Sequence, residues 1–401
     1  MEYRFSDRIT GLKPSAVREI LKSTSDPEVI SFAAGNPAPE SFPVEDVRRI
    51  AGEILDEQPI TALQYGITEG YAPLIAKLKE LTKKRNNIGT EKDSLIVTSG
   101  ATQVMELLTK VLCNEGDVVL CEDPSFIGSL NCFRSYNCVL KGIPIEDDGL
   151  DVNALEEALK QDKDHKIKFL YTIPNFQNPG GVTLSWEKRK KIYELACKYD
   201  FIIMEDNPYG TIRVSGKDVP AIKTLDKEGR VMYAGTFSKI ISPGLRVGYA
   251  VGPKEILAKM TVGKQTEDVH TPMFNQMLVY RWLTECNLED HIKRNQGIYR
   301  KKLNLMCDLI DSELGDAVSY VRPEGGLFIW CKLDDKLDMI EFCQKAVEAK
   351  VAVVPGTAFL ADPSQKTQYI RLNFSTPTDQ EITEGMKRLG RVAKEMLNES
   401  K

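Results

Sequence analysis

Histidine is scarce in this chain: three in 401 residues, His165, His270 and His291, set in unrelated contexts and never paired at metal-ligand spacing. Zinc chemistry and a serine–histidine–aspartate triad are therefore set aside. The nine cysteines contain no C-x-x-C pair. Their odd number argues against a complete disulfide framework, and stretches such as FIWCKL and YELACKY read as sites for small buried hydrophobes. No G-x-x-x-x-G-K-[ST] occurs and no two glycines are spaced G-x-G, which removes a P-loop and the standard dinucleotide fingerprint, and with the latter a nicotinamide dehydrogenase. No apolar run approaches the roughly 18 residues needed to span a bilayer. The start, MEYRFSDRITGLKPSAVREILK, is charged throughout and has no apolar h-region. Neither charge sign dominates: Lys and Arg number 53 against 58 Asp and Glu, and a net charge of −5 offers no general attraction to nucleic acid or anionic lipid. The expectation is a cytoplasmic protein with no nucleic-acid partner, no membrane partner and no metal.

What is present is ordinary globular composition, 42% hydrophobic and 28% charged, over a length that suits two or three domains. Short apolar runs alternate with amphipathic stretches. Strands are predicted at 94–100, 117–124, 165–175, 201–210, 230–237 and 246–252, with helices at 102–112, near 126–135 and at 186–200. Near-continuous apolar strands separated by helices point to a mostly parallel sheet covered on both faces. The pattern changes near residue 272. Helices at 272–296 and 299–314, a segment broken at Glu324-Gly325-Gly326, a helix near 338–349, strands at 351–355 and 369–374 and a helix at 379–397 read as a smaller α+β unit. The fold class is α/β.

In open α/β sheets, ligands bind outside the carboxyl ends of the strands. Polar residues cluster at those ends here: Ser99-Gly100, Asp123-Pro124, Pro174-Asn175, Asp206 and Ser238-Lys239. In VTSGATQ, a strand, a glycine and a helix start present free amides at a positive helix end, a ready anion site, although a plain strand-to-helix turn has the same look. Ser238 and Arg246 could supply further donors to one anion of modest footprint. Asp206 closes an apolar strand, where burial is costly unless a cation or donor meets it; a turn cap is the alternative, a protonated heterocycle nitrogen the sharper reading. A free lysine is neutral in only about one molecule in 2,500 at pH 7, and burial beside a guanidinium would raise that fraction. Lys239 lies in GTFSKIISPGLRVGYAVG among Thr236, Ser238, Ser242 and Arg246, with little other charge. A surface lysine is the default reading that these neighbours weaken.

Taken together, SFAAGNPAPESFP, LQYGITEGYAPL, VTSGATQ, YTIPNFQNPGG, MEDNPYG, FSKIISPGLRVGY, RPEGGLFIW, VVPGTAF and YIRLNFS span almost the whole chain. In this order and spacing they resemble the class I and II aminotransferases of fold type I that use pyridoxal 5′-phosphate, and within them the 2-aminoadipate/kynurenine aminotransferase-like branch. The resemblance implies a large domain with a mostly parallel sheet between helices (44–285), a smaller α+β domain (286–401), and an N-terminal segment (1–43) that joins the small domain and covers the active site. It implies that Lys239 carries the cofactor as a covalent Schiff base and moves a proton, and that Asp206 pairs with the pyridinium nitrogen. Tyr209 and Asn178 would bond the cofactor's phenolic oxygen, and Phe126 would stack on the ring. The amides of Ala101 and Thr102, the hydroxyls of Thr102, Thr236 and Ser238, and Arg246 would hold the phosphate. Arg371 would clamp the substrate α-carboxylate as a bidentate fork, with Gly35 and Asn178 assisting. Tyr65 would reach the phosphate of a neighbouring subunit, which implies a homodimer with shared sites.

Some positions depart from the commoner pattern. Phe126 stands where a tyrosine is frequent, Ala101 where a serine is frequent, and Pro179-Gly180-Gly181 where Pro-Thr-Gly is usual. The implied reaction moves an amino group between an L-α-amino acid and a 2-oxoacid, with glutamate and 2-oxoglutarate as one pair. The side chain of the other substrate stays open, with Arg18, Ile20 and Phe32 as candidate contacts. The competing reading is a C–S β-lyase or related pyridoxal-phosphate enzyme on the same scaffold. A sensor fused to a helix-turn-helix module is set aside because the motifs begin almost at residue 1.

Overall fold

The computed structural model describes residues 3–10, 12, 26 and 28–399. Eight strands form the central sheet: β1 (Asp93–Thr98), β2 (Val118–Asp123), β3 (Val139–Glu146), β4 (Gly149–Leu150), β5 (Ile167–Thr172), β6 (Ile202–Asp206), β7 (Val231–Thr236) and β8 (Gly248–Pro253). Their order is β1-β8-β7-β6-β5-β2-β3-β4. β8 runs antiparallel to β1 and β7, the short β4 runs antiparallel to β3, and the remaining pairings are parallel. Side chains of the central strands alternate between two cores. Val119, Cys121, Phe169, Tyr171 and Met204 enter one apolar cluster; Leu120, Leu170 and Ile203 enter another on the opposite face. Both faces are covered, as near-continuous apolar strands require.

A second, antiparallel sheet follows, built from β9 (Val318–Tyr320), β10 (Phe328–Leu333), β11 (Val354–Pro355) and β12 (Tyr369–Asn373) in the order β9-β10-β12-β11. Ile30–Ser31 pairs in parallel with Val351–Ala352, so the N-terminal segment is tied to this smaller unit.

The elements differ from the sequence expectation chiefly in four places, one of them the predicted strand 201–210, which ends at Asp206. The predicted break between helices near 297 lies instead at Cys286-Asn287, between helices Met273–Glu285 and Leu288–Leu309. Asn287 makes the break by capping: its side chain accepts from the Asp290 amide. The predicted strand 351–355 is two stubs with different partners, because the chain leaves Ile30–Ser31 and joins β12 within four residues. The predicted strand 165–175 stops at Thr172, where a turn takes over the backbone bonding: Leu184 N donates to Pro174 O at 2.8 Å and Gln177 N to Val182 O at 2.9 Å. No helix among the described residues is long and apolar enough to cross a membrane.

Candidate active site

Parallel strands deliver their carboxyl ends to one edge of the sheet, and the chemistry-bearing residues arrive with them. β1 ends at Thr98 and passes through Gly100, at φ +87°, into helix Ala101–Leu112. Only glycine holds that backbone angle without strain. The Ala101 and Thr102 amides belong to the first turn, where no intrahelical acceptor exists. A Cβ on Gly100 would lie 2.3 Å from Arg246 Nη2, so the guanidinium lies directly over the turn. Arg246, itself left-handed at φ +51°, donates from Nη2 to Ser99 O at 3.0 Å. From β7, Thr236 Oγ1 donates to Ser238 Oγ at 2.9 Å. An exposed guanidinium, free helix amides and two hydroxyls converge on an anion-sized cup.

Asp206 ends β6 and is 2% exposed. Oδ2 accepts from the Tyr171 phenol at 2.9 Å, while Oδ1 is buried with no partner. Burial pushes this carboxyl up to about 7, with the Tyr171 hydrogen bond opposing it. Its neighbour in sequence, Glu205, points to the other face and accepts from the Ile222 and Lys223 amides, both at 2.8 Å. Of two adjacent acids on one strand, the one facing the site is left unsatisfied.

Lys239 follows β7 and is half-buried; its Nζ donates to Gly35 O at 2.8 Å. Burial, then Arg246 and Arg371, bring the amine down to about 8. Arg371 comes from β12 in the smaller sheet and is 3% exposed. Its Nη1 donates to Asn178 Oδ1 at 3.0 Å and its Nη2 to Ala33 O at 2.7 Å, while Nε is buried with no partner. The guanidinium lies 4.1 Å from the Phe328 ring centre and 4.8 Å from that of Phe359. Burial lowers it to about 10. Tyr209 is buried and sits edge-on to Phe328 at 6.0 Å; burial pushes its phenol up. Phe126 is half-buried at the start of helix Ile127–Ser135, its ring over Gly128.

The structure therefore brings Lys239, Gly35, Asn178, Tyr209 and Arg371 together, with Asp206 beside them and the Ser99–Thr102 turn and Arg246 adjoining. Tyr65 stands apart. It is 81% exposed, packs edge-on against His270 at 5.8 Å, and touches none of these groups. Phe32 is a correction: it is fully buried and a Cβ on Gly385 of the last helix would lie 2.5 Å from its ring, so it belongs to the core and not to a substrate pocket. Arg18 and Ile20 lie outside the described residues.

Three contributors carry no sequence signal of their own. Glu122, at the end of β2, accepts from Thr172 Oγ1 at 2.6 Å, Ile173 N at 3.1 Å and Gln177 Nε2 at 3.1 Å. Arg189 is fully buried and donates from Nη2 to Pro174 O and Asn175 Oδ1, both at 2.8 Å. Between them they lock the turn that carries Asn178. Tyr171 is the third.

The family model for aminotransferase class I and II matches residues 27–389. The chain belongs to this family. This aminotransferase is 40% identical to an aromatic-amino-acid aminotransferase from Thermococcus litoralis, over 99% of its own chain and 95% of the relative's. Its fold is similar to that of a Pyrococcus horikoshii kynurenine aminotransferase in complex with PMP, with a TM-score of 0.94, 40% identity and coverage of 98% and 97% of the two chains. It is similar also to an α-aminoadipate aminotransferase from Thermus thermophilus complexed with N-(5′-phosphopyridoxyl)-L-leucine, with a TM-score of 0.89, 37% identity and coverage of 98% of each chain. The aminotransferase reaction, transfer of an amino group between an amino acid and an oxoacid, follows from that membership.

Proposed function

We propose that this aminotransferase binds pyridoxal 5′-phosphate at the carboxyl edge of the large sheet and takes L-α-amino acids, with glutamate and 2-oxoglutarate as one exchange pair. The observation that carries the reading is a complementary set of unmet needs: a buried carboxylate oxygen with no donor, Asp206 Oδ1; a buried guanidinium nitrogen with no acceptor, Arg371 Nε; and the Lys239 amine, brought down to about 8. A flat heterocycle with a protonated ring nitrogen, a phosphate and an amino-acid adduct meets all three, so the residues present fit the cofactor.

When bound, the cofactor supplies an electron sink for the pair left at the substrate Cα. Arg371 binds the α-carboxylate by two parallel N–H donations, and the Phe328 and Phe359 rings exclude water from that contact. Asn178, already fixed by Arg371 Nη1, lies beside both groups. The Lys239 amine, neutral in a useful fraction near pH 8, would take the proton from the substrate Cα and deliver it to the cofactor carbon C4′ on the other side of the amino nitrogen. Asp206 holds the proton on the ring nitrogen. Tyr209 and Asn178 would hold the ring's oxygen, Phe126 would stack on the ring, and Ala101, Thr102, Thr236, Ser238 and Arg246 would hold the phosphate.

We infer also a homodimer, with Tyr65 serving the partner's phosphate. Ile60, Leu63, Tyr65 and Ile67 are 76, 74, 81 and 60% exposed along one short segment, an apolar strip that asks for cover. The N-terminal segment, 1–43, covers the site through Ala33 and Gly35, on a large domain of 44–285 and a small one of 286–401. Nine free thiols suit a reducing, cytoplasmic setting.

A half-reaction tests the function. Cofactor-loaded protein is mixed with single amino acids while its visible absorbance is followed. Conversion that a 2-oxoacid reverses is the expected result, and the fastest donor names the substrate class. Steady release of ammonia or a thiol, with the initial spectrum regenerated and no need of an oxoacid, would make it a lyase instead.

A further inference from the structure

Tyr171 is fully buried on β5. The parallel register sets it opposite Met204, so it shares a face with Asp206 two residues further along β6. Its ring is held edge-on by Phe133 at 5.5 Å. Its hydroxyl donates to Asp206 Oδ2 at 2.9 Å.

Of the ionisable groups near Asp206, Tyr171 from β5 shares its face of the sheet and Tyr209 comes from the turn after β6, while Glu122 and Tyr233 stand on the opposite face with Thr172 and Glu205. None is a cation. Glu122 is occupied by its own three donors. Against the cost of burying a bare carboxylate, the Tyr171 O–H is the donor present. A proton donated to Oδ2 also directs the free acceptor capacity to Oδ1.

We propose that Tyr171 is a positioning residue that keeps Asp206 ionised and aims its unpartnered Oδ1 at the protonated ring nitrogen of the cofactor. This rests on the assignment of Asp206 made above.

Tyr171→Phe keeps the ring and its edge contacts and removes the donor. The apo-protein is titrated with pyridoxal 5′-phosphate across pH, and the visible absorbance of the loaded protein is followed over the same range, with Asp206→Asn in parallel. A hydrogen bond to a charged group shifts its ionisation by about tenfold or more. Losing it raises the Asp206 carboxyl further, so on acidification the carboxylate is lost at a higher pH. The acid limb of cofactor affinity is expected to move up by about one pH unit. The expected kinetic effect is a fall of about tenfold in kcat, with the amino-acid KM, set by Arg371, unchanged. If Asp206→Asn weakens cofactor binding while the Tyr171→Phe profiles superimpose on wild type, or fall equally at every pH, the role of Tyr171 is overturned and the Asp206 assignment stands. If Asp206→Asn matches wild type in affinity and spectrum, that assignment fails and this one with it.

Discussion

Arg371→Leu separates a substrate clamp from a structural ion pair. In the free protein the guanidinium is buried between two phenylalanine rings, and its two hydrogen bonds go to neutral oxygens, Asn178 Oδ1 and Ala33 O. Among the described residues no carboxylate there pairs with the charge, and burial lowers it to about 10. An arriving carboxylate supplies the compensation. Removing one partner of a buried, hydrogen-bonded charge pair costs about 2–5 kcal/mol, which corresponds to roughly 30- to 4,000-fold. That loss should appear in the KM for every amino acid and oxoacid. Folding stability should move little, because two oppositely signed terms meet. Two buried acceptors lose their donor, at about 1–3 kcal/mol each, and against this the cost of burying an unpaired charge is removed. Arg371→Lys keeps the charge but not the fork and should fall between the two. The assay is steady-state kinetics with several donors, beside cofactor content by absorbance and a thermal melt. A KM change below about fivefold, or a loss of bound cofactor equal to the loss of activity, would refute the clamp.

Other positions give sharper pH and structural tests. With Lys239 brought down to about 8 by burial and two guanidinium groups, cofactor capture by the apo-protein needs the neutral amine, so its rate should climb about tenfold per pH unit and level off above about 8; a climb continuing to pH 10 would show an ordinary solvated lysine. Lys239→Ala should melt normally and lose the covalent cofactor absorbance; an unchanged band would mean that another amine carries it. Gly100→Ala forces a side chain onto φ +87° and pushes the Arg246 guanidinium off Ser99 O. It should cost about 1–3 kcal/mol in stability and weaken cofactor binding more than substrate binding, a ratio read by titrating each; equal weakening of both would argue against a phosphate cup. Mixing Tyr65→Ala with Lys239→Ala chains should restore part of the activity that neither homodimer has, since one mixed site then holds both side chains; no recovery in a mixed species proven by mass would place Tyr65 within its own subunit.

The fold and most of the site were legible because the signals are local. Apolar runs near five residues long mark strands buried on both faces, and residues such as Asp206 and Lys239 stand out as polar groups at the ends of those runs. Arg371 was legible through its motif, YIRLNFS, and not through its surroundings: Ala33, Asn178, Phe328 and Phe359 come from four separate parts of the chain. The helix break at Asn287 was misplaced because the apolar period runs across it, and one side-chain cap, invisible to periodicity, decides the phase. Phe32 was misread because an aromatic next to a glycine-containing segment has the same appearance in sequence whether it faces a ligand or the last helix.

Glu122, Arg189 and Tyr171 went unseen for a different reason. Glu122 and Tyr171 lie inside apolar runs where a polar group reads as an exception, Arg189 is hidden among the charged residues Glu187, Lys188, Lys190 and Lys191, and the meaning of each depends on which face of the strand or helix it occupies. The pair Glu205-Asp206 shows how narrow the margin is. A shift of one residue in strand register would send Asp206 to the amides of Ile222 and Lys223 and Glu205 toward the cofactor. The assignment therefore hangs on the β5–β6 register that sets Tyr171 opposite Met204. That register is what places a phenol on one oxygen of Asp206 and leaves the other free, and the Tyr171→Phe titration probes the register as directly as it probes the acid.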